Sequence, residues 1–273
     1  MNKQEIINVL KEHNQDEVVK RLEKLDETSA AKLMKQVEGI EWDVVESVLD
    51  KADKGNRAER KIEPLEAVEI KDIKANKEKY TQTGIEAIKA GKVAAVLLAG
   101  GQGTRLGLDK PKGTLNVGVN KTLYLFEQLI NNLMDVVNES GAWVPLYIMT
   151  SDKNNDDTVA FFKEHDFFGY DSDYVKFFIQ AMVPSVDYNG KLYMESTDSL
   201  AMSPNGNGGW FLSLMAAGLD KDMKDKGVEW VNVFAVDNIL QRIADPSFVG
   251  ATILSGAECG SKVVRKVAPD EKV

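Results

Sequence analysis

Six apolar residues, Val93 to Leu98, run without a break into Ala99-Gly100-Gly101-Gln102-Gly103-Thr104-Arg105-Leu106-Gly107. A strand with no polar side chain on either face has to be covered on both, which excludes a half-solvated antiparallel sheet and predicts a buried parallel strand. Further strands are predicted at 146–150, 175–179, 231–236 and 262–267, and helices at 123–138, 156–165, from Trp210 and at 246–254. Asn189-Gly190 predicts a hairpin over 185–195. Strands that alternate with helices give an α/β class with a doubly wound, mainly parallel (mixed) sheet. Ligands in such sheets bind beyond the carboxyl ends of the strands, which points to the loops at 99–113, 150–154, 180–184 and 237–238.

Upstream the pattern differs. Ile6 and Leu10, then Val18, Leu22 and Leu25, then Leu33 and Val37, then Val45 and Leu49 recur at helical spacing, so residues 1–55 are read as a helical arm. Asn14 with Glu17, and Asp43 with Glu46, have the spacing of helix N-caps. Apolar faces of this kind usually mean packing, and the arm carries no visible chemistry. Residues 56–83 are charged and read as a linker, leaving 84–273 as the α/β domain.

Charge narrows the ligand. Thirty-four Lys and Arg against 43 Asp and Glu leave a net charge of −9, whereas binding to nucleic acid requires a concentrated positive field. No nucleic acid is expected as a partner, and any polyanion must be small and locally cradled. One cysteine and two histidines are too few for a Cys/His zinc cage, which leaves oxygen-ligated Mg²⁺ open. With no apolar run long enough to span a bilayer and no signal-peptide pattern, no membrane partner is expected and the location is expected to be cytoplasmic.

The glycine loop is neither a P-loop, since no Gly-x-x-x-x-Gly-Lys-[Ser/Thr] can be aligned, nor a dinucleotide fingerprint, since Leu106 stands where the third glycine belongs. Gly100, Gly101 and Gly103 let the backbone approach an anion closely, as a triphosphate requires. Arg105, and Lys112 held by Pro111, supply two cations to the same loop. Asp237 ends a predicted strand, where one carboxylate can hold Mg²⁺ against phosphate oxygens; an aspartate there also serves purely local turn and cap roles.

Leu98-x-Gly-Gly-x-Gly-Thr-Arg-Leu-Gly107 with Pro111-Lys-Gly113 closely resembles the signature of nucleotidyltransferases that make nucleoside-diphosphate sugars. More narrowly it resembles the UDP-N-acetylglucosamine pyrophosphorylase and UDP-sugar pyrophosphorylase family. The segments Pro145 to Ser151, Phe178 to Pro184, Met202 to Gly209, Val236-Asp237-Asn238-Ile-Leu and Ala244-Asp-Pro246 follow in family order. The helical arm and Gly206-Asn207-Gly208-Gly209 are similar to the acetylhexosamine branch.

The resemblance implies a nucleotide-diphospho-sugar transferase type of fold and transfer of a uridylyl group from UTP to a hexose 1-phosphate, N-acetylglucosamine 1-phosphate in the first place. It implies that Gly100, Gly101, Gly103 and Thr104 cradle UTP, that Gln180 reads the uracil edge beside Gly206 and Asn207, and that Asp237 is associated with Mg²⁺. An amide suits uracil because it offers a donor and an acceptor together. Arg105 and Lys112 are the catalytic candidates: a phosphate monoester is already anionic, so charge neutralisation and alignment replace a general base.

The family pattern continues beyond residue 273 with segments that hold the sugar. The expectation is a fragment with little activity of its own, and the alternative is a non-catalytic UTP or UDP-sugar binding module that needs a partner chain. A strand ending at 267 is expected to leave an exposed C-terminal edge open to self-association.

Overall fold

The structure, a computed structural model, describes residues 1–49, 67–101, 107, 110–268, 270 and 271, with the backbone alone at 47–49. In chain order the strands are Val93–Leu98 (β1), Leu146–Thr150 (β2), Val175–Ile179 (β3), Met182–Pro184 (β4), Met202–Pro204 (β5) and Trp230–Ala235 (β6). The helices are Lys3–Glu12 (α1), Asp16–Lys24 (α2), Glu27–Glu38 (α3), Trp42–Leu49 (α4), Ile70–Ala75 (α5), Lys77–Lys89 (α6), Leu125–Ser140 (α7), Asn155–Glu164 (α8), Trp210–Ala216 (α9), Leu219–Asp225 (α10) and Pro246–Ser255 (α11). Two compact units result: Met1–Glu66 with Ala181–Gly206, and Ala67–Gln180 with Asn207–Val273.

In the second unit β3, β2, β1 and β6 form one parallel sheet in that order, with β1 paired to β2 on one side and β6 on the other. Alternation along β1 divides its side chains between two cores. Val93, Ala95 and Leu97 pack with Ile88 of α6, Phe126 and Leu133 of α7, Phe162 of α8 and Val249 of α11. Ala94 and Val96, with Tyr147 and Met149 of β2, face Leu214 of α9 and Met223 of α10. Helices thus cover both faces, as a doubly wound α/β fold requires. Helices α6 and α11 approach so closely that a Cβ on Gly250 would lie 1.9 Å from the Tyr80 carbonyl oxygen, leaving room only for glycine there.

In the first unit, Ile6, Leu10, Leu22 and Leu33 are fully buried with Leu192 and Leu200. Burying each such side chain contributes about 1.5–3 kcal/mol. The apolar faces of the arm are therefore closed by residues 181–206, an antiparallel meander in which β4 pairs β5 and bridges join Val186 to Leu192 and Met194 to Leu200. Gln15, 4% exposed, ties the two parts together: its Nε2 donates to the Gly190 carbonyl (2.8 Å) and its Oε1 accepts from the Leu192 N–H (2.9 Å). The reversal falls where Asn189-Gly190 places it, with Gly190 at φ +77°.

Several expectations are corrected. Residues 56–83 are not an extended linker throughout, since α5 and α6 begin at Ile70 and Lys77, and residues 181–206 group with the arm, not with the α/β domain. Asn14 caps nothing: it sits at φ +59°, and Gln15 precedes α2 without a side-chain cap. Asp43 lies inside α4. Among the described residues of the arm, the side-chain caps are Asn2, in a reciprocal box with Glu5, and Asp26, which accepts from the Ser29 N–H. Residues 262–266 form no strand, and Val263 and Val264 are exposed. The edge strands of the sheet are β3 and β6, and neither has a strand on its outer side among the described residues.

Candidate functional site

Strands β1 and β6 are parallel neighbours, so the loops that leave them start at the same carboxyl end of the sheet, where ligands of such folds bind. The first stretch of the loop after β1 is held from the side of β2. Ala99 N–H donates to the Met149 carbonyl at 2.8 Å. Asn154, 1% exposed, donates through Nδ2 to the carbonyls of Ala99 (3.0 Å) and Gly101 (3.3 Å), while its Oδ1 accepts from the Ser151 N–H (2.8 Å). The signal for Asn154 in the sequence was only its place in the 150–154 loop.

Gln180 follows β3 directly. Its N–H donates to the Thr150 carbonyl (2.8 Å) and its side chain is buried, 4% exposed. A Cβ on Gly100 would stand 2.7 Å from Gln180 Oε1 and 3.4 Å from the Thr150 oxygen. The glycine therefore has a steric reason: it lets the amide of Gln180 reach the start of the loop. Gly100 and Gln180, assigned to one ligand from the sequence, are in fact neighbours.

Farther along the same loop, Lys112–Thr114 form a single 3₁₀ turn in which Thr114 Oγ1 donates to the Pro111 carbonyl (2.8 Å). Gly113 is buried against Phe126, and a Cβ there would fall 2.2 Å from the ring. This packing sets the turn that carries Lys112, whose Nζ donates to Asp237 Oδ1. Asp237 stands two residues beyond β6, on a loop held by another asparagine: Asn132 of α7 donates to the carbonyls of Ile239 (2.7 Å) and Gln241 (3.1 Å). Lys112 and Asp237 are thus brought together at the carboxyl ends of β1 and β6.

Asn207 lies exposed in a short 3₁₀ turn, Asn207–Gly209, immediately before α9, and Gly206, at φ +85°, ends the hairpin segment of the other unit. Gly101 is exposed. Gly103, Thr104 and Arg105 lie outside the described residues. No group of three His, Cys, Asp or Glu able to hold a metal occurs among the described residues. The donor set fits Mg²⁺ nonetheless, because that ion commonly takes one or two carboxylates and completes its shell with water and ligand phosphates. Asp237, 61% exposed, already has a cationic group on its carboxylate, the ammonium of Lys112. No helix is long and apolar enough to cross a membrane among the described residues.

A sequence model of the family described as UTP–glucose-1-phosphate uridylyltransferase matches residues 42–273. Among curated relatives, UDP-N-acetylhexosamine pyrophosphorylase-like protein 1 of Mus musculus is 46% identical over 201 residues, covering 71% of this chain and 40% of the relative. The UDP-N-acetylglucosamine pyrophosphorylase of Saccharomyces cerevisiae is 40% identical over 202 residues, covering 72% of this chain and 42% of the relative. The crystal structure of the uridine diphosphate N-acetylglucosamine pyrophosphorylase from Trypanosoma brucei, in complex with an inhibitor, matches with a TM-score of 0.74 at 28% identity, over 94% of this chain and 56% of that one. The chain spans about two fifths of the length of the curated relatives it matches.

Proposed function

Because this chain belongs to the UTP–glucose-1-phosphate uridylyltransferase family, we propose that it carries the UTP-binding side of an enzyme that joins UTP to a hexose 1-phosphate. The names of the relatives favour N-acetylglucosamine 1-phosphate as the sugar substrate. A phosphate oxygen of the sugar bonds to the α-phosphorus of UTP, the bond from that phosphorus to the β-phosphate bridge breaks, and pyrophosphate leaves. No side chain has to take a proton from such a nucleophile.

The observation that carries this reading is the meeting of Lys112 with Asp237 at the carboxyl ends of β1 and β6, with Gln180 against Gly100 at the ends of β3 and β1. In this reading Gly100, Gly101, Gly103 and Thr104 line the phosphates, and Gln180 pairs with the uracil edge. Lys112 and Arg105 neutralise charge on the phosphates, and Asp237 would hold Mg²⁺, which when bound supplies further neutralisation of phosphate oxygens. Work in the cytoplasm and self-association through the outer edge of β6, where Val231 and Val233 are each 37% exposed, belong to the same proposal.

Calorimetry with UTP, CTP, ATP and GTP in the presence of Mg²⁺ tests it. UTP is expected to bind at least about tenfold more tightly than the others, since a site built to hydrogen-bond one base edge rejects those that leave its polar groups unpaired. Gln180→Ala should flatten that preference. Equal affinity for all four nucleotides in the parent chain would refute the uracil-reading site.

A further inference from the structure

We propose that Asn154 is a positioning residue that holds the start of the glycine loop in its anion-receiving shape. The residue is 1% exposed, so each of its polar atoms has to find a protein partner or pay for desolvation. Oδ1 accepts from the Ser151 N–H at 2.8 Å, which is a local turn contact three residues away. The two Nδ2 hydrogens have a different use: they reach more than fifty residues back in the chain, to the carbonyls of Ala99 at 3.0 Å and Gly101 at 3.3 Å. One side chain thus closes a turn with its acceptor and tethers a loop with its donors.

The tether has a directional consequence. A trans peptide carries its C=O and N–H on opposite sides of the chain, and no peptide bond among the described residues is cis. Drawing the Ala99 carbonyl toward Asn154 turns the Gly100 N–H away from the segment between β2 and α8. Neither the Gly100 nor the Gly101 N–H meets an acceptor among the described residues. Glycine N–H groups presented in succession from a fixed backbone form a cradle for an anion such as a phosphate. Glycine by itself leaves those groups free to turn elsewhere, so a loop of this composition needs an external restraint to stay organised, and Asn154 supplies it. The ligand side of the proposal rests on the nucleotide reading above; the tether itself does not.

Asn154→Asp separates the two uses. It keeps the size of the side chain and the acceptor for the Ser151 N–H, so the turn is retained, but it replaces both donors with an oxygen facing two carbonyls. The backbone ¹⁵N order parameters of Gly100 and Gly101 are expected to fall in the variant, from the rigid range of about 0.85 to below about 0.6, while those in the core of α7 stay unchanged. UTP affinity should fall at least about tenfold with uridine affinity held constant, a split that general destabilisation would not produce. Asn154→Ala, which removes the turn contact as well, should show the same loop opening with a lower melting temperature. Parental order parameters at Gly100 and Gly101 in both folded variants would overturn the tether. An equal loss of UTP and uridine binding would overturn its role toward phosphate. A parent chain that binds no UTP would instead refute the nucleotide reading, and the order parameters would still decide whether Asn154 holds the loop.

Discussion

The ammonium group of Lys112, on the loop that leaves β1, is hydrogen-bonded to Oδ1 of Asp237, two residues past the end of the neighbouring strand β6. The two residues are 125 positions apart in the chain, and parallel pairing of β1 with β6 brings their loops to the same end of the sheet. Each side chain is partly open to solvent, 30% for Lys112 and 61% for Asp237, so either can exchange its partner for a ligand group. A triphosphate with its cation offers both an anion to Lys112 and a cation to Asp237.

Lys112→Ala is expected to leave folding nearly intact, because an ion pair this exposed contributes about 1 kcal/mol or less. UTP binding should weaken roughly ten- to a hundredfold, the range of one charge-assisted hydrogen bond. Asp237→Asn should flatten the Mg²⁺ dependence of UTP binding, since an amide carries no charge to hold the ion. Titration calorimetry over a Mg²⁺ series reads both; parental UTP affinity in Lys112→Ala would remove Lys112 from the phosphate site.

Gly113→Ala should destabilise the α/β unit by about 1–3 kcal/mol, the usual cost of overpacking a filled core. The added methyl would stand 2.2–2.3 Å from ring atoms of Phe126, which is itself fully buried. Combining it with Phe126→Leu should recover part of the loss by making room. Urea denaturation of the single and double variants checks this, and an unchanged midpoint for Gly113→Ala would mean that the turn yields without cost.

Gln15→Leu tests the junction of arm and meander. The variant strands the Leu192 N–H and the Gly190 carbonyl that Gln15 now satisfies, and a buried unsatisfied group costs about 1–3 kcal/mol. Thermal melting should drop, with exchange protection lost first around 190–192. Retained protection there would show that apolar contacts of Leu192 and Leu200 suffice.

Alkaline pH should destabilise the α/β unit through Tyr147 and Tyr170. Burial pushes the Tyr147 phenol above its ordinary value near 10, and its hydrogen bond to Asp222 (2.7 Å) adds to the shift; burial likewise raises Tyr170. The folded state therefore keeps protons that the unfolded chain releases. The contribution is whole below about pH 10 and declines above it, by at most about 1.4 kcal/mol per pH unit for each group. Urea midpoints at pH 8, 10 and 11 should fall, and less steeply for Tyr147→Phe; an unchanged slope in that variant would exclude Tyr147 as a cause.

The bounds of β1 and β2 were legible in the sequence because an apolar run covered on both faces has few alternatives, and those of β3, which exposes Lys176 and Ile179, from its β-branched and aromatic residues. The glycine loop, the Asn189-Gly190 reversal, Lys112 in the loop after β1, and Gln180 and Asp237 just past strand ends followed from local pattern. What those residues meet was not legible. Lys112 finds Asp237, Gln180 reaches Gly100, and Asn154 reaches Ala99 and Gly101 across separations that only the pairing order of the sheet makes short. Asn14 fitted a cap pattern and failed as one; its neighbour Gln15 is instead bonded to Gly190 and Leu192, so a distant partner outweighed the local rule. Residues 262–266 have strand composition but pair with no strand, and a strand exists only through its hydrogen-bonded partner. The arm shows the same division: periodicity determined that each helix hides a stripe of leucine, isoleucine and valine, while tertiary packing alone decided that residues 181–206 cover it. Burial is a property of both surfaces at once, and one stretch of sequence contains only one of them.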